Sequence, residues 1–120
     1  MANSIDIVRL LEMGIKAEGL RQHVIASNIA NIETPGYRRL DIRFEDLLDK
    51  AMKSPDSTKG QDIEPEIHQP RTTPLKSNGN DVNLEAEIGE MLKNSLRHAA
   101  YTRLLRRKFA QMETAIGVQG

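Results

Sequence analysis

Three histidines, His23, His68 and His98, are the first residues to test for chemistry. A metal site or a proton-relay pair needs ligating partners at fixed spacing, such as two histidines one helical turn apart. None of the three has one, so each reads as a packed or solvated imidazole. Carboxylates gather at Asp41, Glu45, Asp46 and Asp49. At helical spacing on a polar segment they make a solvated face, and no nucleophile or base is placed beside them. The glycines are scattered and form no phosphate-cradling loop. The lack of cysteine removes thiol catalysis, thiolate metal sites and disulfides. Arg97, Arg103, Arg106, Arg107 and Lys108 could meet phosphates. Against that, 17 basic side chains balance 17 acidic ones, and aromatic residues for base stacking make up only 3% of the chain. The expectation is no enzymatic activity, no cofactor, no metal and no nucleic-acid partner.

The elements that would carry these residues are mainly helical. A length of 120 residues suits one domain, and the 38% apolar fraction supplies helical seams but no thick core. No apolar run is long enough for a membrane-inserted helix. Met1 to Asp6 lacks the basic and apolar segments of a cleaved signal peptide. The chain is therefore expected in the cytosol, or outside it after export without such a signal.

The first helix is expected over residues 1–33, with its regular pattern from Ile5 to Asn31. Val8, Leu11, Ile15, Ile25 and Ile29 form one stripe, interrupted by Glu18 and Gln22. Leu10, Met13, Ala17, Leu20 and Val24 form a second on another side, so the helix needs two sets of neighbours. Gly14 and Gly19 lie inside it, either as flexible points or as room for a close-packed neighbour. Thr34, held extended before Pro35, ends the helix. Thr34-Pro35-Gly36-Tyr37 has type II turn chemistry, with φ preset by Pro35 and positive φ available at Gly36. Residues 34–53 read as this turn, an alternating extended segment (Leu40, Ile42, Phe44) and a short helix from Glu45 to Lys53.

Residues 54–81 hold Pro55, Pro65, Pro70 and Pro74 among polar residues, which reads as a flexible loop. A second long helix follows over 82–117, capped by Asp81 or Asn83 and stopped near Gly117. Glu85, Glu87 and Glu90 suit its N-terminal dipole end. Its apolar alternation runs Ile88, Met91, Ser95, His98, Thr102, Leu105, Phe109, Met112 and Ile116, widened by Leu92, Leu96, Ala99, Ala100 and Leu104. The fold class is mainly α, with two long terminal helices paired as an antiparallel coiled coil around an irregular, partly extended middle. Two helices with surplus apolar stripes cannot bury everything. The isolated chain is expected to be marginal and to complete its order against other subunits, since ordering costs about 1–2 kcal/mol per residue. The arginine cluster then reads as a source of intersubunit salt bridges to the acidic middle.

The string Ala26-Ser27-Asn28-Ile29-Ala30-Asn31-Ile32-Glu33-Thr34-Pro35-Gly36-Tyr37-Arg38 resembles the signature of the bacterial flagellar axial proteins, the rod, hook and hook-associated subunits. In that family it reads roughly A-S-N-x-A-N-x-x-T-P-G-Y-x-R after the N-terminal helix. The short chain, the segment Arg38 to Leu48 and the helix start Asn80 to Glu87 are most similar to the proximal rod subunits of the flagellar basal body.

The resemblance implies a structural subunit of a helical tube that transmits torque in motility and encloses an export channel. It implies self-association and contacts with other flagellar rod proteins, with the adaptor protein FliE and with the MS-ring. It places the chain in the periplasmic rod, delivered by the flagellar type III export apparatus without a cleaved signal peptide. The interface would use Val8, Leu11, Ile15, Ile25 and Ile29 on the first helix. On the second it would use Ile88, Met91, Leu105, Phe109, Met112 and Ile116. Phe44 and Leu48 resemble the short hydrophobic motif with which rod and hook subunits engage the export gate. Ala26, Asn28, Asn31, Thr34, Pro35, Gly36 and Tyr37 carry the family motif. For Asn28 and Asn31 the physical expectation is that their amides tie the helix end to the turn or to an adjacent subunit. A soluble helical adaptor or chaperone-like module in the cytosol would use the same amphipathic helices.

Overall fold

The computed structural model describes residues 4–53 and 63–119. Residues 1–3, 54–62 and 120 lie outside the described residues, and with them the first part of the loop expected over 54–81. The elements are α1 (Ser4–Ala30), β1 (Asp41–Arg43), α2 (Glu45–Lys53), β2 (Glu66–His68) and α3 (Leu84–Gln119).

The two long helices run antiparallel. Asn28 meets Glu87, Glu18 meets Asn94 and Arg97, and a Cβ on Gly14 would stand 3.0 Å from the ring of Tyr101. The two glycines of α1 thus differ: Gly14 admits a close neighbour, whereas nothing lies within 4 Å of a Cβ on Gly19. Continued along the pair, this register sets Ser4 level with about Gln111, so α3 outruns the described part of α1 by about two turns.

The second stripe of α1 supplies the core. Met13, Ala17 and Val24 pack with Ile42 and Phe44, and Leu10, Leu20, Leu40, Leu48 and Ile63 close around them. β1 continues the alternation seen in the sequence, with Ile42 inward and Arg43 outward. It pairs antiparallel with β2, Ile42 opposite Ile67. β1 falls in the segment read as extended, whereas its partner β2 lies inside the segment read as loop. Three residues bounded by Pro65 and Pro70 give too short a pattern to declare a strand.

The start of α3 is fixed by Asn83, whose Oδ1 accepts from the Ala86 N–H at 2.9 Å. Asp81, the other candidate cap, is buried and bonded elsewhere. Gly117 does not stop the helix, which continues to Gln119; among the described glycines only Gly36 and Gly79 adopt positive φ. The seam by which α3 meets α1 also differs from its apolar alternation. Glu87, Asn94 and Tyr101, seven residues apart, face α1. Ile88, Leu92 and Leu96 point to solvent.

Candidate functional site

The turn predicted after the first helix is present. Gly36 has φ 75°, and the Tyr37 N–H donates to the Thr34 carbonyl at 3.3 Å, as a type II turn requires. The Gly36 N–H then donates to the Asn78 carbonyl at 2.9 Å. Gly79 has φ 82°, and a Cβ there would come within 3.4 Å of the Gly36 Cα. Two left-handed glycines therefore bring the turn after α1 against the segment that leads into α3.

Asparagines lock this meeting point. Asn80 is fully buried; its amide nitrogen donates to the carbonyls of Asn31 at 2.9 Å and Thr34 at 2.8 Å, and its Oδ1 accepts from the Val82 N–H at 2.7 Å. Asn31 turns its amide back on the Ser27 carbonyl at 2.8 Å and accepts from the Thr34 hydroxyl at 3.1 Å. Asn28 is fully buried and uses every position that an amide has. Its nitrogen donates to the Leu40 carbonyl and to Glu87 Oε1, and its oxygen accepts from the Leu40 N–H and the Tyr37 hydroxyl, each at 2.9 Å. One side chain thus joins α1, the extended segment and α3. Aspartate lacks the donors, and alanine lacks everything.

Charge closes the same joint. Arg38 Nε donates to the buried Asp81 at 3.0 Å, and Asp81 also accepts from the Arg39 N–H. Arg39 Nε donates to Glu87 at 2.8 Å. Burial opposes the Arg39 charge, but its hydrogen bond to Glu87 and the nearby carboxylates prevail, so the guanidinium is held above the ordinary arginine range. Farther along α1 the buried Glu18 accepts from Arg21, Asn94 and Arg97. Arg21 reaches on to Glu45 of α2, with its charge likewise held above the ordinary range: burial lowers it, and Glu18 and Glu45 raise it more. Among the described residues no buried side-chain nitrogen or oxygen lacks a partner. Such pairs add little net stability over apolar packing, yet each is costly to break, so they fix register.

The structure distributes the sequence-derived candidates unevenly. Of the motif residues, Asn28, Asn31, Thr34, Gly36 and Tyr37 bond within the joint, and the exposed Pro35 sits in the turn. Ala26 is exposed and takes no part in these hydrogen bonds. Of the interface set, Ile25 is buried inside the chain; Val8, Leu11, Ile15, Ile29, Met91, Leu105 and Met112 are half-buried; Ile88, Phe109 and Ile116 are exposed. Phe44 is 3% exposed and Leu48 packs against the same core, so the folded chain hides the gate-like pair. His23 and His98 are exposed and His68 is half-buried. Arg97 bonds Glu18, whereas Arg103, Arg106 and Arg107 are exposed.

Glu18, Arg21, Asn80, Glu87 and Asn94 were not read as a site from the sequence. By pattern alone Glu18 interrupts the first stripe of α1 and Glu87 suits the dipole at the start of α3. The available signal was spacing: Gly14, Arg21 and Asn28 recur every seven residues on α1, as do Glu87, Asn94 and Tyr101 on α3.

Comparison with known proteins bears on the same stretch. A family model described as flagella basal body rod protein matches residues 11–38, most of α1 together with the turn. The flagellar basal body rod protein FlgB of Escherichia coli K12 is 30% identical over 116 residues, covering 82% of this chain and 84% of that protein. FlgB of Bacillus subtilis is 27% identical over 118 residues, 91% of this chain and 92% of its own length. FlgB of Borreliella burgdorferi is 30% identical over 101 residues, 69% of this chain and 75% of its own. Residues 11–38 include Asn28, Asn31, Thr34, Gly36 and Tyr37 of the joint, and the similarity to the relatives extends over most of both chains: this chain belongs to the FlgB family of flagellar basal body rod proteins.

Proposed function

We propose that the chain is a structural subunit of the proximal rod of the flagellar basal body, assembling into a helical tube that transmits torque and surrounds an export channel. The observation that carries this reading is the division of labour on α3. The side facing α1 is occupied by Glu87, Asn94 and Tyr101, while Ile88, Leu92, Leu96 and Ile116 are left in water. A helix that spends polar residues inside and apolar residues outside is built to be covered by neighbours. Family membership supports the structural role, and nothing favours the soluble adaptor as a second reading.

In this reading other rod proteins and further copies of the chain cover the apolar rows, from Val8, Leu11, Ile15 and Ile29 on α1 to Ile88, Phe109 and Ile116 on α3. FliE and the MS-ring are the neighbours proposed at one end. The location is the periplasmic part of the rod, reached through the type III export apparatus without a cleaved signal. Because Phe44 is buried in the folded chain, a gate contact through Phe44 and Leu48 requires the unfolded chain.

The test is to tag the full chain in its host and purify intact basal bodies. The tagged chain is expected to co-purify with the rod, and Ile29→Asp to be exported but absent from it. Recovery only in the soluble fraction would overturn the reading.

A further inference from the structure

The side of α3 turned away from α1 has an ordered charge pattern. At 100° per residue, Glu85, Leu92, Leu96, Arg103 and Arg107 share one face, opposite Glu87, Asn94 and Tyr101. All five are exposed, Leu92 and Leu96 to 62% and 63%. Ile88 and Leu104 flank the row and are exposed too. The face is acidic at its start, apolar in its centre and basic at its end. Among the described residues Glu85, Arg103 and Arg107 have no ion-pair partner within the chain.

We propose that this face binds the same face of a second copy of the chain, antiparallel and centred on Leu96. That register sets Leu96 against its own counterpart, Leu92 against Ala100 and Ile88 against Leu104. It also sets Glu85 against Arg107; the two-fold axis runs through the Leu96 pair and forms each of the other pairs twice. The alternative side-by-side arrangement, parallel and in register, sets Arg103 and Arg107 against their own copies and is disfavoured by like charge. The charge pattern therefore selects the antiparallel partner. The contact extends over about 33 Å from Glu85 to Arg107. It is isologous, so it closes at two copies and cannot propagate. Resting on the rod reading, it has a further consequence: a closed pair occupies a face that the growing rod needs, and holds free subunits back from polymerising.

The chain has no cysteine, so single thiols can be placed at will. Purified Leu96→Cys is expected to give a covalent dimer with a short bismaleimide cross-linker. Arg107→Cys alone is expected to stay uncoupled, and a mixture of Arg107→Cys with Glu85→Cys to couple. Arg107→Glu should weaken dimerisation about tenfold by analytical ultracentrifugation, and adding Glu85→Arg should restore it. All these positions are exposed, and helical circular dichroism checks that the fold is kept. Failure of Leu96→Cys to couple, or equal self-coupling of Arg107→Cys, overturns the proposal. Basal-body purification is independent of this result, so the rod reading stands or falls separately.

Discussion

The two ends of the helix pair are held by different physics. At the turn end, Asn28, Asn80, Asp81 and Glu87 join α1, the extended segment and α3 through fully satisfied buried polar groups. At the far end, Leu105 and Met112 are only half-buried, Phe109 is exposed and Ile116 is 73% exposed. Polar networks tolerate only one geometry, because every displaced donor or acceptor costs desolvation without return. Apolar surface accepts many partners. The turn end therefore defines the subunit, and the far end and outer face of α3 leave it open to others.

The strongest way to break this contrast is Asn28→Ala. It strips partners from the Leu40 amide and carbonyl, the Tyr37 hydroxyl and Glu87. A loss of about 3 kcal/mol or more is expected in chemical denaturation, enough to unfold a marginal chain. Phe44→Ala removes the one aromatic ring of the core and should cost about 3 kcal/mol, a loss of packing that leaves the joint's hydrogen bonds in place. Gly36→Ala forces a side chain into φ 75° and should cost about 1 kcal/mol in the same measurement. The two glycines of α1 sharpen the picture further. Gly19→Ala should raise stability by up to about 1 kcal/mol, because its site is open. Gly14→Ala should gain nothing, since the new methyl presses on Tyr101. The smallest effect is expected on the outer face, where Leu92→Ser should change the free chain by less than about 0.5 kcal/mol and yet abolish its incorporation into rods.

Much of this was legible in the sequence. The two long helices, the type II turn and the short amphipathic α2 follow from periodicity, Pro35-Gly36 and the placement of acids and lysines. The core stripe Leu10-Met13-Ala17-Leu20-Val24 was readable as a stripe, though not which neighbour it would meet. The seam of α3 was not legible. Periodicity places apolar residues inside, and here tertiary pairing puts Glu87 and Asn94 inside instead. Each has a partner far away in the chain, Asn28 for one and Glu18 for the other. Asn80 was hidden for the same reason: its side chain acts on carbonyls at residues 31 and 34, a contact that no local pattern announces. The extended segment that holds β1 was readable, but its partner β2 escaped because a three-residue strand between Pro65 and Pro70 carries too little alternation.

Amide hydrogen exchange on the free chain and on assembled rods tests the central claim most directly. The Leu40 and Val82 amides donate to the buried side chains of Asn28 and Asn80 and are expected to exchange slowly in the free chain. The amides of residues 112–119 should exchange rapidly there and become protected only on assembly. Equal protection at both ends of the free chain, or rapid exchange at Leu40, would contradict a subunit defined at its turn and completed by its neighbours.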